Sequence, residues 1–147
     1  MLKRLPILIC LLALFGIFSC TTYYIPVESL KTQFAGIDSA KLKLVTVKGP
    51  AGDKVQYFAN PLSVVKCIDK AGNPFELVNS PSLEIRFTYG LNNKRVIYYF
   101  DRIYLTDSCV VGVRSRIIPA LRKTIPLNSI SKIEIQDGHK NFHYVNR

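Results

Sequence analysis

The segment VRSRIIPALRKTIPL, residues 113–127, places Arg114, Arg116, Arg122 and Lys123 on either side of the apolar run Ile117-Ile118-Pro119-Ala120-Leu121. Guanidinium forks match the paired oxygens of phosphates and carboxylates, and branched aliphatic side chains between them suit the boundary of lipid headgroups and acyl chains. Each basic side chain close to an anionic surface adds about 1 kcal/mol, so this cluster would orient a protein on such a surface. The same composition also fits a connecting loop whose isoleucines face a core while its arginines stay in water.

Other chemistries find fewer of the residues they need. His139 and His143 have the spacing that would put two imidazoles on one side of a helix, as a zinc pair requires. They follow Asp137-Gly138 and lie among Phe142, Tyr144 and Val145, which reads as strand, where four residues span about 13 Å. Asp101 and Asp107 are the residue types of a glycosidase carboxylate pair, which needs a separation of about 5 to 9.5 Å. Their contexts make Asp101 a polar strand residue and Asp107 a turn residue. Ser115 has no base partner visible in sequence, and no G-x-S-x-G elbow occurs. The sequence therefore assigns no catalytic residue, no metal ligand and no cofactor.

The elements that must carry these residues are mostly strands. YIPVESLKTQF sets Val27, Leu30 and Phe34 at helical spacing behind Pro26, which predicts one short helix ending near Gly36. From Lys41 the period becomes two. KLKLVTVK and VQYF flank a GPAGD turn, and two further strands flank AGNP. In LEIRFTY, Leu83, Ile85, Phe87 and Tyr89 alternate with polar residues, predicting one buried face. RVIYYFDRIYL is apolar on both faces over several residues and reads as a central strand paired to LEIRFTY through GLNNK. CVVGV and KIEIQ add strands, and QDGHKNFHYV reads as a terminal hairpin. The expectation is a mainly β domain, a small antiparallel barrel or sandwich of about eight or nine short strands with one short N-terminal helix.

Residues 1–19 read as an export leader: Lys3 and Arg4, then an apolar stretch from Leu5 to Phe18, then Ser19 before a cut. The stretch is too short to span a bilayer comfortably, which takes roughly 20 apolar residues. Ile17-Phe18-Ser19-Cys20 resembles the lipobox of bacterial lipoprotein precursors. The resemblance implies that Cys20 becomes the acylated N-terminus of the mature chain, holding it to a membrane. Thr21, where an acidic residue would resemble an inner-membrane retention signal, implies an outer-membrane anchor facing the periplasm, with display at the cell surface the alternative. Residues 20–25 would then be a lipidated tether, with Tyr23 and Tyr24 at the membrane interface or in that tether, and residues 26–147 a single domain.

Loss of Lys3 and Arg4 with the leader lowers the formal charge from +10 to +8. In the cytoplasm so basic a chain would suggest nucleic acid, but in an envelope its partners are anionic lipid, glycan or acidic protein faces rather than nucleic acid. Cys10 leaves with the leader and Cys20 takes lipid, so Cys67 and Cys109 remain. They could pair in an oxidising compartment or stay as buried free thiols. Residues 103–138, through Gly112 and the Ile125-Pro126-Leu127 to Ile133 closure, are similar to a strand-pair pattern of small bacterial envelope lipoproteins, which implies an architecture and no activity. The reading is a lipid-anchored envelope module that binds or scaffolds another component without catalysis; the alternative is a periplasmic enzyme acting on cell-wall or glycan material.

Overall fold

Alternating side-chain patterns settle into twelve strands and one α-helix over the described residues, 21–147, of the computed structural model. Residues 1–19, expected to be a leader and holding Cys10, and Cys20, expected to carry lipid, lie outside the described residues. The strands are β1 (Tyr23–Tyr24), β2 (Lys43–Lys48), β3 (Lys54–Ala59), β4 (Val64–Ile68), β5 (Pro74–Val78) and β6 (Leu83–Tyr89). They continue with β7 (Lys94–Tyr99), β8 (Ile103–Leu105), β9 (Cys109–Val113), β10 (Arg122–Pro126), β11 (Ile130–Asp137) and β12 (His143–Asn146). Helix α1 spans Val27–Gln33 behind Pro26, buries Leu30 and is followed by the buried Phe34.

All strand pairs are antiparallel. One sheet runs β5-β4-β1-β11-β6-β7, a second β10-β9-β8 and a third β12-β2-β3. The first sheet turns Val65, Ile85, Phe87, Tyr98, Ile133 and Ile135 inward, against Leu30 and Phe34 of the helix region and Ile103, Val110 and Ile125 of the second sheet. Burial of an aliphatic or phenylalanine side chain of this kind stabilises by about 1.5–3 kcal/mol. A separate small core holds Val45, Val47, Tyr57 and Ala59, with Phe142 and Tyr144 packed against it.

At Gly112 the second sheet packs tightly on Tyr98 of the first. A Cβ there would lie 2.6–2.8 Å from ring atoms of Tyr98, so only glycine lets β9 cross that ring.

Several sequence expectations are corrected. The sheets are open, each with two free edges, so they do not form a barrel. The strand count rises to twelve because β1, β8 and β10 are too short or too polar for an alternation pattern to show. RVIYYFDRIYL is two strands in different sheets, broken by a 3-10 turn at Phe100–Arg102, and β7 is an edge rather than a central strand. The QDG segment does not close a hairpin. Both sides of β11 are occupied by β1 and β6, so the chain crosses over and β12 pairs with β2.

Within the stretch 20–25 expected to be a tether, residues 23–25 are part of the fold. Tyr23 and Tyr24 pair with β11, and Tyr24 also with β4; Tyr23 stacks on Phe75 at 4.6 Å, and Ile25 is buried. Cys67 and Cys109 are free thiols, the first buried in β4 and the second half-buried at the start of β9 in another sheet. Among the described residues, no helix is long and apolar enough to cross a membrane.

Candidate functional site

The 3-10 turn that breaks β7 from β8 carries the one fully buried carboxylate of the small core. Asp101 has no solvent exposure, and its Oδ2 accepts from the Tyr57 hydroxyl at 2.5 Å and the Tyr144 hydroxyl at 2.8 Å. Tyr57 comes from β3 and Tyr144 from β12, so the turn is clamped from two strands of the third sheet. Asn60 reinforces the clamp: its amide N–H donates to the Asp101 carbonyl at 2.7 Å and its side chain to the Phe100 carbonyl at 2.7 Å.

Arg116 enters from the other side. Its Nη1 donates to the Tyr57 hydroxyl at 2.7 Å and stands 3.8 Å from Asp101 Oδ2. The guanidinium carbon lies 3.7 Å from the centroid of the Tyr99 ring and 4.8 Å from that of Phe142, positions in which the ring quadrupoles attract the cation. Arg102, next to Asp101 in sequence, lies 4.8 Å from the Tyr57 ring centroid and donates to the Ser115 carbonyl.

Local geometry explains why Arg116 turns inward. The Ser115 hydroxyl oxygen accepts from the Ile117 and Ile118 amides at 3.1 and 3.0 Å, a serine turn that folds the loop back on itself. With the Ser115 carbonyl held by Arg102, the next side chain points into the protein and the following two point out. Arg116 is thus 7% exposed and Ile117 75%, with Ile118 and Leu121 also exposed. The basic segment therefore matches neither sequence reading whole: Ile117, Ile118 and Leu121 face solvent, as a surface contact would have them, but Arg116 is core.

The remaining basic residues diverge. Arg122 and Lys123 are neighbours on β10 and emerge on opposite faces; Arg122 lines a cleft beside Arg102, while Lys123 Nζ sits 5.2 Å from the Tyr89 ring centroid. Arg114 is exposed and lies outside that cleft. Arg114, Arg116, Arg122 and Lys123 are therefore not one contact face.

The cleft itself has a volume of about 300 Å3. Arg102, Arg116 and Arg122 supply its polar wall, and Leu44, Phe58, Tyr104, Val113, Ile117 and Pro119 its apolar one. Its charge is unbalanced. Two guanidiniums, Arg102 and Arg116, share the single carboxylate of Asp101. Burial drives Asp101 toward its protonated form, raising its pKa above the usual carboxylate range despite the nearby Arg116 and the two tyrosine hydroxyls. Burial also lowers the pKa of Arg102, against the pull of Asp101. Arg116 Nε and Nη2 and Arg102 Nε are shielded from solvent and have no hydrogen-bond partner. Asp101 Oδ1 is likewise buried without a partner, so the cluster holds unmet donors and an unmet acceptor together, where buried polar atoms are normally satisfied.

The other sequence candidates are scattered. Asp107 is exposed in the β8–β9 turn and lines a different hollow with Phe34, Ile37 and Leu127, away from the Asp101 cluster. His139 follows the Asp137-Gly138 bend with its amide on Asp137 Oδ1 at 2.8 Å, and His143 opens β12 with its Nε2 2.7 Å from Asn141 Oδ1. Among the described residues, no three His, Cys, Asp or Glu side chains gather as a metal would need. Tyr57, Tyr144 and Arg102 had no place in the sequence reading. The signal for them was the pair Asp101-Arg102 set inside an otherwise apolar run, since charges in such a run must find partners when it folds.

The chain matches no protein-family model, no curated protein and no solved structure.

Proposed function

We propose that this chain is a lipid-anchored, non-enzymatic binding module of a bacterial cell envelope, and that its cleft receives an anionic group. The anchor rests on the lipobox-like Ile17-Phe18-Ser19-Cys20. The binding reading rests on one observation: Arg102, Arg116 and Arg122 line an open cleft to which no carboxylate side chain contributes. Arg122 at the mouth adds a solvated cation that would draw anions in, and low-dielectric walls strengthen that field. Catalysis has less support, because Asp101 is sealed by two tyrosine hydroxyls and Asp107 lies at a separate hollow.

Two measurements test the proposal. Cells fed radioactive palmitate should label the wild-type chain and leave Cys20→Ala unlabelled; an unlabelled wild type removes the anchor. Acetate should raise the melting temperature of the purified chain above that in chloride at equal ionic strength, as a ligand of the folded state does. The increment should vanish in Arg102→Gln. Equal melting temperatures in the two salts reject the anion site.

A further inference from the structure

Resting on that anion reading, we infer that the ligand of the cleft is an aliphatic carboxylate, its head group between Arg102 and Arg122 and its hydrocarbon chain along Leu44, Phe58 and Ile117. Charge sets the head group. Arg102, Arg116 and Arg122 line the cleft and no carboxylate side chain does, so its wall favours an anionic head group. Planar guanidinium forks also match the two oxygens of a carboxylate.

The walls set the tail. Leu44 and Phe58 are cross-strand partners on β2 and β3, both more than half exposed, and so form one apolar pair on the outer face of the third sheet. Ile117, three-quarters exposed, stands on the loop beside them. The serine turn that buries Arg116 is the same feature that displays Ile117, so the cationic and apolar parts of the site are fixed in place by one local structure. A chain leaving the arginines along these three side chains would remove from water apolar surface that the domain otherwise leaves wet.

The test uses the full chain in its own membranes and a decanoate carrying a photoreactive diazirine on its tail. Irradiation should attach the probe to peptides containing Leu44, Phe58 or Ile117. Unlabelled butanoate, hexanoate and octanoate should compete, with the half-competing concentration falling about fourfold for each CH2 that enters the cleft. Arg102→Gln should raise that concentration about tenfold for every acid. Phe58→Gln, at an exposed position, should flatten the dependence on chain length while leaving the protein folded.

Equal competition by butanoate and octanoate overturns the aliphatic ligand and leaves the anion site standing. Equal attachment of the matching photoreactive decanol overturns the anion site and this inference together. Attachment confined to peptides outside the cleft, or none, overturns the aliphatic ligand alone, since the acetate melting experiment judges the anion site independently.

Discussion

Arg116 reaches Asp101 through a hydroxyl rather than directly: its Nη1 is 2.7 Å from the Tyr57 oxygen and 3.8 Å from the carboxylate. The Tyr57 hydroxyl donates to Asp101 and accepts from Arg116, so one oxygen joins a carboxylate that burial tends to neutralise to the Arg116 guanidinium. The pKa of Tyr57 itself is pushed well above that of a free tyrosine, by burial first and by Asp101 next, which keeps the bridging proton in place.

Removing that bridge should be costly. Tyr57→Phe should destabilise the domain by about 1–3 kcal/mol, the cost of leaving buried polar partners unmet. Arg116→Met should cost about 3–5 kcal/mol, because one member of a buried pair is left alone. Adding Asp101→Asn to Arg116→Met should restore part of the loss, since neither member of that pair is then left charged without the other. Urea denaturation of the three variants decides this; an additive double variant would mean that the two side chains are not coupled.

Asp101 also predicts the direction of a pH effect. Its pKa is raised on folding, so the folded state holds the proton more tightly than the unfolded chain. Its favourable contribution is complete below the ordinary Asp value of about 3.9 and is lost as pH rises through the higher folded value. Asp137 behaves oppositely. Partial burial opposes its ionisation, but bonds from the Ser82 hydroxyl and the His139 amide prevail and hold its pKa below the usual range, so its contribution is lost only in stronger acid. Denaturation midpoints measured across the acid range should show the Asp101 component in the wild type and not in Asp101→Asn.

Gly112→Ala should destabilise by about 1–3 kcal/mol, because its methyl would collide with the Tyr98 ring, which is itself fixed by a hydroxyl bond to the Lys123 carbonyl at 3.1 Å. Thermal unfolding of Gly112→Ala alone and combined with Tyr98→Leu checks the cause: the smaller side chain should relieve the alanine.

The two thiols should differ in reactivity. Burial pushes the Cys67 pKa up to about 11, whereas Cys109 is half-buried at a strand end. Iodoacetamide at neutral pH should therefore modify Cys109 first and Cys67 only after unfolding. Mass spectrometry without reductant should find both alkylated in denaturant; an unmodified pair would establish a bridge.

Fold class was legible wherever side chains alternate over enough residues. LEIRFTY shows its buried face outright, with Leu83, Ile85 and Phe87 inside. KLKLVTVK shows strand but not which face is covered: Val45 and Val47 are buried while Leu44 is wet, because only the third sheet's inner face meets Phe142 and Tyr144. The break at Phe100–Arg102 was illegible by periodicity, since the residues on both sides are apolar.

The site was harder still to read. Asp101, Tyr57, Arg116 and Tyr144 come from four separate places in the chain, and nothing local tells a charge which partner it will meet. The inward turn of Arg116 depends on the Ser115 hydroxyl, a residue whose sequence context suggested only a nucleophile without a base.

The two-residue strand β1 has a mechanical consequence. Among the described residues it is the strand that joins the β4–β5 hairpin to the β11-β6-β7 half of the largest sheet, held by the pairs Tyr24–Ile68 on one side and Tyr23–Ile135 and Tyr24–Glu134 on the other. Tension applied at Thr21 is therefore borne first at the middle of that sheet and not at a peripheral strand. Peeling Tyr23 and Tyr24 away would remove the strand that joins the two halves of the sheet along its centre line.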